Sequence, residues 1–178
     1  MQIRTVGDID ARRNHILAQI AATSHRLAQM PGNPVDLFRD LKFRQIGRHP
    51  IEDRPLNVIE QINQTWTYLT ALAATRILLA DHPDAKGFEV EPGARAATPH
   101  DIVSLVPDVC VAEVFAATRP DSNDKLRKDI RKVAKAGSAA KYVFFYCPSP
   151  EETGWRPMLA QPHEIDGVRV RWLACPDI

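Results

Sequence analysis

The chain has 178 residues, of which 44% are hydrophobic and 25% charged, with 23 Lys and Arg against 22 Asp and Glu. That composition supports one folded domain with a small appendage and excludes global disorder. A net charge of +1 excludes a whole-molecule field for nucleic acid, so any basic surface must be local.

The first expected element is a helix from Asp8 or Asp10 to about Met30. Ile9, Ile16, Leu17, Ile20, Leu27 and Ala28 recur at helical spacing, Pro31-Gly32 ends the run, and Arg12, Arg13, Asn14 and His25 take the opposite side. A second, short helix is expected over Val35–Phe43, with Val35, Leu37, Phe38 and Leu41 as its apolar set. Gly47 to Pro55, with two prolines and alternating charge, reads as a loop. On that basis residues 1–54 form an N-terminal helical attachment and linker, and residues 55–178 an α/β core. The core begins with the longest helix, Leu56 to about Ala80. Val58, Ile59, Ile62, Trp66, Leu69, Leu72 and Ala73 make its apolar face, and Glu60, Asn63, Gln64 and Thr67 a polar stripe beside it.

After His82-Pro83-Asp84 the period changes from 3.6 to 2. Strands are expected at Phe88–Glu91, Asp101–Val106 and Val109–Ala117. The third is nearly all apolar and so covered on both faces. A helix over Asn123–Ala136, capped by Ser122 or Asn123 and ended by Gly137, leads to a strand at Lys141–Cys147. Residues 148–162 read as a loop, and Val168–Ala174 as a last strand near an edge. The three consecutive strands form a meander, and the helix after them is the crossover that makes the fourth strand parallel to the third.

Glu113 is the most informative residue, a charge in the middle of VCVAEVFAA. A buried carboxylate costs several kcal/mol unless something pairs with it. If the loop between the second and third strands is Val106-Pro107-Asp108, Leu105 faces Val109 and Asp101 faces Glu113, with Cβ atoms roughly 5 Å apart on one face. A two-residue turn slips the register and sends them to opposite faces. Two converging carboxylates repel, and a hard divalent cation with water ligands resolves the repulsion. Such a cation can activate a water and neutralise a phosphoryl group. The alternative is that Glu113 pairs with an arginine such as Arg95 or Arg119, or lies at a strand end in solvent.

With Asp101, Glu113 and this element order, the stretch Leu56–Cys147 resembles the PD-(D/E)XK nuclease superfamily. The resemblance implies a restriction-endonuclease-like αβββαβ sandwich around a small mixed sheet. It implies Mg²⁺ or Mn²⁺ at Asp101 and Glu113, and a helper acid on the first helix at Glu60. The family's lysine belongs two residues after the acid, where this chain has Phe115. Some members carry the cation on the following helix instead. Lys125 on its first turn is the expected substitute, with Lys128 second. The function implied is metal-dependent hydrolysis of phosphodiester bonds in nucleic acid. The alternative is an inactive member of the same fold, kept as a binding, regulatory or inhibitory module.

The helix over 123–136 concentrates Lys125, Arg127, Lys128, Arg131, Lys132 and Lys135 against only Asp124 and Asp129. Such a face can contact phosphates, aided by Arg12 and Arg13, or it can be a solvated face whose charge suits the helix dipole. The partners expected are therefore nucleic acid, DNA before RNA, and a protein partner or second copy as in a homodimer. His100 precedes Asp101 and can assist a water or a phosphate, although a lone histidine is more often structural. Cys110, Cys147 and Cys175 lie far apart with no C-x-x-C pair, which argues against disulfides or a cysteine zinc site and fits a reducing cytoplasm. No apolar h-region opens the sequence, and no run of ~20 apolar residues exists, so no membrane partner is expected. Phosphate-loop, dinucleotide-loop and nucleophile-elbow motifs are absent.

Overall fold

The computed structural model describes residues 1–30, 32–93, 98–119, 122–148 and 163–173. Strand β1 (Gln2–Ile3) leads into helix α1 (Val6–Ala28). The cap of α1 is Thr5, earlier than expected. Its hydroxyl accepts from Asp8 N, and Asp8 returns bonds from the Thr5 backbone, so Asp8 closes a capping box rather than opening the helix. Helix α2 (Pro34–Phe43) is capped by Asn33. Its expected apolar set does not enter the core: no residue of α2 is buried, and Val35 and Phe38 are each 75% exposed.

Residues expected as loop carry a small two-stranded ladder, β2 (Gly47–Arg48) with β3 (Pro55–Leu56). Gln61 ties it to the helices. Its Oε1 accepts from Thr23 Oγ1 at 2.8 Å and Arg48 N at 3.1 Å, while its Nε2 donates to Gln19 O.

Helix α3 (Val58–Asp81), capped by Asn57, is the central helix. Its buried face is rotated from the expected one. Tyr68, Leu69, Ala71, Leu72, Ala74 and Leu78 are buried, whereas Ile59 and Ile62 are 46% and 49% exposed. The reason lies in small side chains: Thr65, Thr70 and Thr75 are buried too, and Thr70 and Thr75 donate back to the carbonyls of Trp66 and Ala71. Ile3, Ile9 and Ile16 share this cluster with α3 and with Phe88, Ile102, Ala112, Tyr142 and Phe144.

The sheet then forms in chain order: β4 (Phe88–Val90), β5 (Ile102–Ser104) and β6 (Cys110–Ala116), with helix α4 (Lys125–Ala134) leading to β7 (Ala140–Tyr146). A hairpin of β8 (His163–Ile165) and β9 (Val168–Leu173) follows, turned by Asp166 and Gly167 at positive φ. The order is β1-β4-β5-β6-β7-β9-β8. β4, β5 and β6 are the expected antiparallel meander, β7 runs parallel to β6, and β9 runs parallel to β7. β8 was not expected, and it makes β9 an interior strand of this mixed α/β sheet. One face packs on α1 and α3. On the other, Leu126, Ile130 and Val133 of α4 meet Val111, Phe115, Val143 and Phe145. Expected chain turns at Pro31 and residues 149–162, and the end of the last strand at Ala174, lie outside the described residues. Among the described residues no helix is long and apolar enough to cross a membrane.

Candidate functional site

The β5–β6 ladder pairs Ile102 with Ala112 and Val103 with Val111. One step further along the same register sets Asp101 opposite Glu113, as the three-residue loop requires. Alternation along β6 sends Cys110, Ala112 and Val114 toward α3 and Val111, Glu113 and Phe115 toward α4. Asp101 is fixed from two directions. Its Oδ2 accepts from Val114 N at 2.9 Å and its Oδ1 from Gly93 N at 3.3 Å.

Glu113 is 1% exposed. Lys132 Nζ lies 2.7 Å from its Oε1 and donates to its Oε2 at 2.8 Å. His100 Nδ1 lies 2.8 Å from Oε1, and against an ionised carboxylate the ring nitrogen is the donor. Burial pushes the Glu113 carboxyl above the usual carboxylate range, and the neighbouring Asp101 adds to that. The hydrogen bonds from Lys132 and His100 oppose it without reversing it. Among the described residues, the groups paired with Glu113 are therefore Lys132 and His100. Arg95, an alternative partner, lies outside the described residues.

The expected substitute lysine, Lys125, does not reach the acid. It donates to Asp129 Oδ1 at 2.6 Å. Lys128 points elsewhere and donates to Asn123 O. The cause is the direction of the crossover. α4 returns from the C-terminal end of β6 to the start of β7, so late residues of the helix lie over early residues of the strand. From Lys125 to Lys132 is about 10 Å of helix, and from Ala116 back to Glu113 is about 10 Å of strand. Lys132 is thus level with the acid. Phe115, at the family's lysine position, is buried and stacks on Phe145 with ring centroids 5.5 Å apart.

Asp129 was expected only as a counter-charge on a basic face. It is 3% exposed, and its Oδ2 has no hydrogen-bond partner among the described residues. Burial pushes its carboxyl up against the bond from Lys125. Lys125, Asp129 and Lys132 follow at i, i+4 and i+7 beside the core stripe Leu126, Ile130 and Val133, a spacing visible in the sequence.

These groups border a cleft of about 480 Å³ at the C-terminal end of β6. Asp101, Glu113, Lys125 and Lys132 supply its charge, and α3 contributes Thr67. Glu60 is not a lining residue. It sits in the first turn of α3, two turns or about 10 Å before Thr67, with its side chain exposed. Arg127 and Arg131 border a different groove with Ile165 and Asp166. Arg12 and Arg13 lie on α1 and do not line the cleft.

Among the described residues no three His, Cys, Asp or Glu side chains cluster as a ready-made metal cage. Asp101 and Glu113 are nonetheless a donor set of the kind Mg²⁺ uses, one or two carboxylates completed by waters and phosphate oxygens. Their mutual repulsion in a buried place is the property a cation would relieve. Comparison with protein-family models, curated proteins and solved structures gave no match.

Proposed function

We propose that this chain is a metal-dependent phosphodiesterase acting on nucleic acid, with the αβββαβ core of the PD-(D/E)XK nucleases in α3, β4, β5, β6, α4 and β7. The observation that carries the reading is the meeting of Asp101, Glu113 and Lys132 in one cleft, two acids from neighbouring strands and a lysine from the following helix. Asp101 and Glu113 would hold Mg²⁺ or Mn²⁺, which when bound neutralises phosphoryl charge and lowers the pKa of a water. Asp101 is oriented for this by two backbone N–H groups, and Glu113 by Lys132 and His100. Lys132 has a third ammonium proton beyond those it shares with Glu113. That proton can be given to a phosphoryl oxygen or used to orient the attacking water. The reaction is in-line hydrolysis: the water oxygen bonds to phosphorus as the bond to the leaving oxygen breaks. Lys125 lines the same cleft and is suited to a flanking phosphate.

Cleavage of single- and double-stranded DNA and RNA with Mg²⁺ or Mn²⁺ tests the reading. Loss of cleavage in both Asp101→Ala and Glu113→Ala is expected, and activity that survives both would refute it.

A second reading is an interaction module that keeps the fold without the chemistry. Phe115 in the lysine position and the exposed Val35, Phe38 and Phe43 of the α2 region favour it. It requires no heat on calorimetric titration with Mn²⁺ and no cleavage.

A further inference from the structure

We propose that the cleft has a second, uncharged half that binds a nucleobase, so that the substrate is single-stranded or locally unpaired nucleic acid. The inference rests on the phosphodiesterase reading and extends it to the class of strand attacked. A second hollow of about 440 Å³ opens beside the acidic cleft and shares Thr67, Ala116 and Ala117 with it. The division of chemistry between the two is sharp. Asp101, Glu113, Lys125 and Lys132 all border the first. Among the described residues the second has no Asp, Glu, Lys, Arg or His in its wall; those that line it include Ile62, Asn63, Trp66, Tyr146 and small neighbours. Its volume falls in the range of small-molecule sites.

The aromatic pair is ordered. Trp66 and Tyr146 stack with ring centroids 5.2 Å apart and planes 14° from parallel. Trp66 comes from α3 and Tyr146 from the last residue of β7, so two rigid elements fix them. Both rings remain partly exposed, and Ile62 is 49% exposed on the same helix. Asn63 adds a carboxamide that can donate and accept, the chemistry needed at the edge of a base.

A nucleotide carries its charge at the phosphate and its flat, uncharged ring at the far side of one sugar. The adjoining halves of this cleft repeat that order. A duplex keeps its bases stacked inside, so a base can enter the aromatic half only from an unpaired strand or after extrusion. Aromatic platforms of this kind accept any base, so strand state rather than sequence is what the hollow selects.

The test uses the full-length Glu113→Gln variant with Mg²⁺, which leaves the aromatic half intact while blocking turnover. Fluorescence anisotropy compares a fluorescein-labelled thymidine strand of about ten nucleotides, the same backbone with every base replaced by an abasic sugar, and a duplex of equal length. The thymidine strand is expected to bind about tenfold tighter than either of the others. Asn63→Ala, a change at an exposed helix position, should narrow that gap, and Trp66→Phe, which keeps a ring in place, should preserve most of it. Equal binding of the thymidine and abasic strands, or preference for the duplex, would overturn the base subsite while leaving the phosphodiesterase reading intact. Failure of all three to bind at low salt would overturn both.

Discussion

Lys132 and Glu113 are 19 residues apart in the chain and meet at 2.8 Å between α4 and the middle of β6. One end of this contact is 48% exposed and the other 2%. An exposed lysine is therefore committed to a nearly buried carboxylate, beside a second acid. If the chain is the proposed phosphodiesterase, replacing Lys132 with Met, which removes a cation from Glu113, should cut metal-dependent cleavage by about 100-fold. Lys132→Arg keeps the charge and should fall between the two. Initial rates on a labelled strand measure the effect, and a Lys132→Met rate within threefold of wild type would exclude a role for this lysine.

Glu113 also sets a pH dependence of stability. Burial and Asp101 raise its folded pKa above the ordinary value of 4.5. The folded state then holds its proton more tightly than the unfolded state does. This contribution is fully present below about pH 4.5 and is lost as pH rises through the folded pKa. Glu113→Gln should therefore melt above wild type at pH 7.5. At pH 4 the two should melt together. Calorimetric melting at the two pH values checks this, and no difference at pH 7.5 would show that Lys132 and His100 fully offset the burial.

The Gln61 junction predicts a backbone-sensitive site far from the acids. A methyl group on Gly47 would collide with the Gln61 carboxamide and crowd Asn57 O. Gln61 cannot move without giving up its bonds to Thr23, Arg48 and Gln19. Gly47→Ala should cost about 2 kcal/mol, read as a lower urea midpoint. Helical content in water should be unchanged.

Cys110 and Cys147 are fully buried free thiols. Burial pushes the Cys110 thiol up to about 12. The thiolate is the reactive form, so neither cysteine should take up iodoacetamide at pH 8 until the chain is unfolded. Peptide mapping before and after denaturant distinguishes the two states. Rapid native labelling of Cys110 would contradict the packing of β6 against α3.

The sheet was largely legible in the sequence, because alternation and the apolar run VCVAEVFAA specify strands and burial directly. The register that brings Asp101 opposite Glu113 was one of two that the turn length left open, and the structure takes the three-residue loop. The pairing of Lys132 with Glu113 was not legible, for a geometric reason: the first turn of α4 is nearest in sequence, but a crossover helix that runs back along the strand puts its later turns over Glu113. Periodicity placed Ile59 and Ile62 in the core, yet buried threonines satisfied by their own helix took those positions. β8 escaped because HEI is too short to show a period. Glu60 heads the polar stripe of α3 and fits the family pattern, but of that stripe Thr67 borders the cleft and the length of α3 carries Glu60 away from it.

The pairing of β1 with β4 joins Gln2 to Glu89. Strand β1 is made before its partner, which follows some 86 residues later, a wait of roughly 4–17 s at ordinary elongation rates. Closing so large a loop costs about 4 kcal/mol of chain entropy before any contact offsets it. Strand β1 therefore cannot dock until β4 exists, and until it docks the outer margin of β4 offers an open row of amides and carbonyls to any passing chain.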